Sequence, residues 1–219
     1  MIASLLTLGA VAWLSFFASL AMASQFSADI VSTDANGQPA TPPGKLYVSD
    51  DKARIETPAV AGGFFVVDGA INAAFFVRPA KKIFMDAKQS SPLTQIFVPV
   101  DPEDPCRKWQ AMAVNAGATE TGGEWRCDRA GQEIIEGRKA IAYSAVSPLQ
   151  KQSIEWIDPD LKFLIRSQTE GGVTIDLKNI QEGPQPASLF EIPANYGKFD
   201  PRQLIEIIKR SDVWVEPVK

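Results

Sequence analysis

The chain has 219 residues, a formal net charge of −4, no histidine and only two cysteines. The missing histidine excludes Ser-His-Asp and Cys-His catalytic centres and any imidazole metal ligand, and two cysteines cannot complete a four-ligand zinc site of the thiolate and imidazole kind. The acidic balance argues against a nucleic-acid footprint, which would be basic, while 45% hydrophobic residues with 16 Pro and 15 Gly describe a folded, turn-rich protein.

The first charged side chain is Asp29. Before it, an apolar run through Leu5, Leu6, Val11, Trp13, Leu14, Phe16, Phe17 and Leu20 closes on Ala21-Met22-Ala23. This small-x-small ending reads as a secretory leader cut between Ala23 and Ser24. The run is also long enough to span a bilayer uncleaved. The expectation is a leader over 1–23 and one domain over 24–219, placed in the periplasm or secreted, with an uncleaved N-terminal anchor as the alternative. No cysteine lies near the cleavage point, which argues against a lipidated N-terminus. Cys106 and Cys127 fit this compartment: an even cysteine count under oxidising conditions favours a structural disulfide. The alternative, a redox pair, usually places its cysteines much closer together.

Most of the remaining chain alternates with the period of β-strands. Lys45 to Ser49 and Ala53 to Thr57 flank a turn at Asp50-Asp51, with Ile55 inward and Arg54 and Glu56 outward. Phe64 to Val67 ends at the hairpin signal Asp68-Gly69. Ala73 to Val77 follows, then a turn at Arg78-Pro79-Ala80, then Lys82 to Met85. Five short strands with short turns predict an antiparallel meander.

The middle section changes character. Ser91-Pro92 predicts the start of a short helix through Ile96, and Asp104-Pro105 the start of another through Ala113. Cys106, Trp109 and Ala113 share one face of that second helix. A small-residue loop from Ala116 to Gly123 leads to a strand carrying Cys127. Strands are predicted again at Arg138 to Val146, Ser153 to Ile157, Leu161 to Arg166 and Val173 to Lys178. In the last, Val173, Ile175 and Leu177 should face the core and Thr174, Asp176 and Lys178 the solvent. Asp200-Pro201 predicts a helix over Arg202–Arg210, and Asp212 to Glu216 reads either as a strand added to the sheet edge or as an exposed strand for a partner.

Two stretches carry a family resemblance. Gly44-Lys45-Leu46-Tyr47-Val48 with Lys52-Ala53-Arg54-Ile55-Glu56 is similar to the opening strands of the LolA-like proteins, the periplasmic lipoprotein-carrier fold. Trp156-Ile157-Asp158-Pro159 to Leu164, Asn179-Ile180, and Ser188-Leu189-Phe190-Glu191-Ile192-Pro193 with Tyr196 resemble that family's closing section. The resemblance frames Phe26 to Phe199. It implies a mainly β fold with helices (α+β): a curved antiparallel sheet forming an incomplete barrel, with helices on its concave side. In the carrier, the hollow between sheet and helices holds acyl chains. This chain departs from the carrier. Asp50-Asp51 stands where the carrier has a functional arginine, a carrier-type aromatic falls near Arg54, and the Cys106–Cys127 loop is not a carrier feature. The resemblance therefore carries the fold and not lipoprotein transfer, and points to an exported relative of the carrier.

The expected function is that of a non-enzymatic exported binding protein. A lipid, an acyl chain (a lipoprotein's among them) or another apolar ligand would lie in the hollow, lined by Phe64, Val66, Phe75, Val77, Trp156, Phe163 and Ile175. The same residues also read as plain core. The alternative is a structural or envelope-sensing protein with a filled core, acting through contacts with another envelope protein. The carboxylates at Asp101, Glu103 and Asp104 read as helix-capping residues, those at Asp50-Asp51 and Asp158/Asp160 as turn residues, and Lys81-Lys82 as a solvated turn. No nucleophile motif, phosphate loop, metal-ligand spacing or cofactor motif is present, so no catalytic residue, metal or cofactor is assigned.

Overall fold

The computed structural model describes residues 24–87, 93–116 and 123–200. In chain order these form β1 (Gln25–Thr33), β2 (Gly44–Ser49), β3 (Lys52–Glu56), β4 (Phe64–Asp68), β5 (Ala73–Arg78), β6 (Ile83–Asp86), α1 (Leu93–Ile96), α2 (Pro105–Asn115), β7 (Arg126–Ile135), β8 (Arg138–Val146), β9 (Gln152–Asp158), β10 (Phe163–Thr169), β11 (Thr174–Glu182) and β12 (Gly197–Lys198). All twelve strands belong to one sheet, ordered β12-β6-β5-β4-β3-β2-β1-β11-β10-β9-β8-β7. Two antiparallel meanders, β2 to β6 and β7 to β11, are joined through β1, which pairs with both β2 and β11. Only β12 runs parallel to its neighbour, β6. The order has two ends, so the sheet does not close.

One face of the sheet builds the main core. Phe26 and Ala28 of β1, Leu46 and Val48 of β2, Ile55 of β3, Phe65 and Val67 of β4, Ala145 of β8 and Phe163 of β10 form one buried cluster with Phe97 and with Trp109 and Met112 of α2. Strands as distant in the sheet as β4 and β8 can share a cluster with one short helix only if the sheet curls around it, so this face is concave. Asp104 starts α2 by accepting the Arg107 backbone N–H at 3.3 Å, the capping role its position predicts. Trp109 Nε1 donates to the Ile96 carbonyl at 3.2 Å, Tyr143 Oη donates to the Pro102 carbonyl at 2.7 Å, and the Cys106–Cys127 disulfide ties α2 to β7.

The opposite, convex face carries a second cluster: Phe64, Val66 and Val77, with Phe84, Ile192 and Tyr196 packed on it. Its cover is the segment 183–199, a strap that leaves β11 and crosses to the far edge. The strap is fastened along its length. The Gln185 backbone N–H donates to Gln25 Oε1 at 3.2 Å, Arg54 Nη1 to the Leu189 carbonyl at 3.2 Å, and the Phe199 backbone N–H to the Phe84 carbonyl at 2.7 Å. Lys198 pairs with Asp86 at 3.1 Å.

The meander, the second-half strands, α2 and the cysteine pairing agree with the sequence reading. Other features differ. β1 is not anticipated: its inward residues are Phe26, Ala28 and Ile30, and the small Ala28 weakens the apolar alternation. In β11, Asp176 is buried, because it pairs with Arg166 of β10 at 2.5 Å, while Val173, at 40% exposure, lies just before the strand. Asp158 is buried as well. Its Oδ1 accepts the backbone N–H groups of Asp160 (2.8 Å) and Leu161 (3.0 Å), and its Oδ2 pairs with Arg138. The leader with its cleavage point after Ala23, the Ser91-Pro92 helix start, the stretch 117–122, and the helix and tail beyond Asp200 lie outside the described residues.

Candidate functional site

The seven candidate cavity residues fall into separate environments. Phe64, Val66 and Val77 sit together on the convex face beneath the strap, and Phe75 joins them through an edge-on contact with Phe84, ring centroids 5.9 Å apart. Phe163 is buried on the concave face between Phe26 (5.3 Å) and Phe97 (6.1 Å), and Ile175 packs partly buried against the same core. Trp156 pairs across the sheet with Arg166, whose guanidinium carbon lies 5.7 Å from its ring centroid. The hollow is occupied by Phe97, Trp109, Met112 and Phe163. Beside α2 it leaves a recess of about 250 Å³ between Ala74, Asp86, Thr94, Gln95, Met112 and Asn115, below the ~300–1,000 Å³ usual for ligand sites.

A larger opening lies elsewhere. At one end of the first meander, the start of β2, the end of β3, the start of β4 and the turn after β5 surround an open cleft of about 580 Å³. Its apolar lining is Pro43, Pro58, Val60, Ala61, Phe64, Pro79 and Ala80, and its charged lining is Lys45, Arg54 and Glu56. The local sequence explains the shape. Thr57 Oγ1 accepts the Ala59 backbone N–H at 3.4 Å and starts a tight turn at Pro58–Val60. Gly62, at φ +75°, then reverses the chain, and a Cβ at Gly63 would overlap the Phe76 ring, so the loop can lie this close to β5 only with glycine there.

Arg54 is the centre of the cleft. Its guanidinium carbon stacks 3.4 Å from the centroid of the Phe64 ring, a cation–π arrangement. Glu56 Oε1 accepts from Arg54 Nε at 2.8 Å and lies 2.7 Å from Nη2. With Nη1 on the Leu189 carbonyl, one side chain joins cleft, sheet and strap. Lys45 pairs with Asp29 on the neighbouring strand. That hydrogen bond raises the Lys45 pKa, while Asn179 first and Lys45 second lower that of Asp29. Of the seven candidates, only Phe64 lines this cleft. The sequence pattern makes Arg54 and Glu56 outward residues of one strand and puts Lys45 at the start of another, and assigns none of the three to a site. The available signal was the bracketing of the strand ends by Pro43-Gly44, Pro58, Gly62-Gly63 and Pro79.

Glu155 is a second unusual group. It is buried on β9, an interior strand of the sheet, where Oε1 accepts from Ser153 Oγ (2.7 Å) and Ser167 Oγ (3.1 Å). Oε2 has no partner among the described residues. Burial pushes its pKa up to about 7, against the opposing pull of the two serines. Its hydroxyl neighbours Ser153 and Ser167 are held against it inside the sheet, and it lines none of the openings described. Among the described residues, no group of His, Cys, Asp and Glu is arranged to hold a metal ion, and no helix is long and apolar enough to cross a membrane.

No protein-family model matches the chain, and no curated protein matches it. Among solved structures, PNGF-II aligns over 86% of this chain at 10% identity with a TM-score of 0.52. The fold is shared with part of PNGF-II. The chain spans about a third of that protein, 33% of its length, and the likeness is one of fold alone. The Pseudomonas aeruginosa MucA/MucB complex aligns over 80% of this chain and 58% of the matched chain, at 14% identity and a TM-score of 0.43. The LolA superfamily protein NE2245 from Nitrosomonas europaea aligns over 78% of this chain and 90% of its own, at 10% identity and 0.36. These two scores lie too low to carry an inference about ligands or partners. The observed architecture, an open curved sheet with helices on its concave face, is nevertheless the one that the LolA-like resemblance implies.

Proposed function

We propose that this is an exported, non-enzymatic binding protein for an apolar ligand, a lipid or acyl chain, seated in the cleft between Phe64, Val60 and the three prolines. The cleft carries this reading. It is an open cleft of about 580 Å³, and its lining is apolar with a few convergent polar groups, the composition usual in small-molecule sites. Each methylene buried there would contribute about 0.8 kcal/mol. Export is supported by the leader-like N-terminus and by the disulfide, which suits an oxidising compartment. The absence of histidine supports a role in binding over catalysis.

The test is mass spectrometry of an organic extract of the mature protein, exported and purified without detergent, beside an exported control of similar size. A lipid retained in stoichiometric amount, and lost on Phe64→Ala, supports the cleft. A lipid retained equally by Phe64→Ala moves the site elsewhere.

A second reading has its own observation: the hollow is filled by large side chains. This favours an envelope protein that acts by contact with another protein. An extract without lipid, together with a crosslinked envelope partner on the folded protein, would select it.

A further inference from the structure

The cleft is apolar along its walls and cationic at its floor, and the state of Arg54 says what the ligand's polar end is. Resting on the cleft reading above, we propose that the ligand is a single-chain amphiphile with a carboxylate head, and that this head takes Arg54 in place of Glu56.

Three observations carry this. First, the Arg54 side chain is only 16% exposed, lying between Phe64 and the strap, so its charge is largely desolvated and calls for an anion. Second, its present anion is a poor match. Both Nε and Nη2 converge on one oxygen, Oε1 of Glu56, whereas a carboxylate binds a guanidinium best through two parallel bonds. Glu56 is two residues away on the same strand, and at 39% exposure its side chain can turn to water at little cost. Third, donors are left over. A guanidinium has five N–H groups, and described residues engage three of those on Arg54, at Nε, Nη2 and Nη1. Glu56 thus holds the place of a ligand carboxylate. A chain attached to that head would leave along Phe64 and Val60 toward Pro58 and Pro79. Lys45, at the rim, is paired with Asp29 and at 56% exposure keeps its charge in water, so it calls for a ligand anion less than Arg54 does.

Calorimetric titration of the delipidated mature protein with laurate, and separately with lauryl alcohol, both below their aggregation thresholds, tests this. The chain is the same and only the head differs. The expected result is at least tenfold tighter binding of laurate. Glu56→Gln should tighten laurate several-fold further and widen its margin over lauryl alcohol, because it removes the anion that competes for Arg54. Arg54→Gln should bring the two ligands to equal affinity. Equal binding of laurate and lauryl alcohol by both wild type and Glu56→Gln overturns the head assignment while leaving the apolar cleft standing. Binding of neither overturns the cleft reading and this inference with it.

Discussion

Trp109 on α2 and Trp125 ahead of β7 pack with ring centroids 5.4 Å apart and planes tilted by 54°, beside the disulfide that joins Cys106 to Cys127. The Trp125 backbone N–H also donates to Gln110 Oε1 at 2.8 Å. Helix, strand and covalent bond are thus fastened at one place, and α2 is what fills the concave face. A four-residue α1 and an eleven-residue α2 are too short to be stable alone, so their order depends on this anchorage.

Reduction, or the double change Cys106→Ser with Cys127→Ser, should therefore cost about 3 kcal/mol, the chain-entropy value for a loop of this length. Denaturant unfolding with and without reductant measures it. A midpoint unmoved by reduction would mean that the packing of Trp109 alone secures the helix.

Glu155 makes stability fall as pH rises. Its folded pKa is about 7 against an ordinary 4.5. The folded state therefore holds the proton more tightly than the unfolded one, and the favourable contribution is complete below about pH 4.5. It is lost as pH climbs through about 7. The loss should be on the order of 3 kcal/mol at pH 8, at about 1.4 kcal/mol per pKa unit. Glu155→Gln keeps an acceptor for Ser153 and Ser167 and removes the titration, so its stability should vary less across pH 5 to 8 and exceed wild type at the upper end. Parallel pH profiles for the two proteins would rule out Glu155 as the titrating group.

Asp158 carries more than its place at a turn suggests. One oxygen holds the two backbone N–H groups that turn β9 into β10, and the other holds Arg138, which also reaches Glu182 of β11 at 2.8 Å. Asp158→Ala would leave Arg138 with Glu182 as its remaining acid partner and take the acceptor from two backbone donors, at a cost of about 2–3 kcal/mol. Asp160→Ala should stay within about 0.5 kcal/mol of wild type. Thermal unfolding of the pair separates the two aspartates.

The contrast between these aspartates shows where sequence reasoning succeeds and where it stops. Strand alternation, hairpin turns and the Asp104 cap are local, and each is legible in a few consecutive residues. The burial of Asp158 and Asp176 depends on Arg138 and Arg166, which lie on neighbouring strands and leave no local trace. The strap is harder still. Phe64, Val66 and Val77 read as apolar on an uncertain face, and only the return of Ile192 and Tyr196 across the sheet explains why the convex side is greasy. Arg54 was legible as outward-facing. That the strap and the Phe64 ring nearly bury it follows from tertiary placement alone.

Phe163 and Phe64 then separate folding from binding. From the sequence, both are candidate cavity residues. Phe163 is fully buried between Phe26 and Phe97 on the concave face, so Phe163→Ala removes a ring from a close-packed core and should cost about 3–5 kcal/mol. It should leave ligand affinity unchanged in whatever fraction stays folded. Phe64 also supports the strap through Arg54, but it forms a wall of the cleft, so Phe64→Leu, which keeps most of the apolar volume, should cost under about 1.5 kcal/mol and still weaken laurate binding several-fold by losing the ring beneath the guanidinium. Unfolding and titration of both variants decide the matter. If Phe163→Ala weakens binding and Phe64→Leu does not, the ligand lies in the hollow of the sheet and the cleft is not its site.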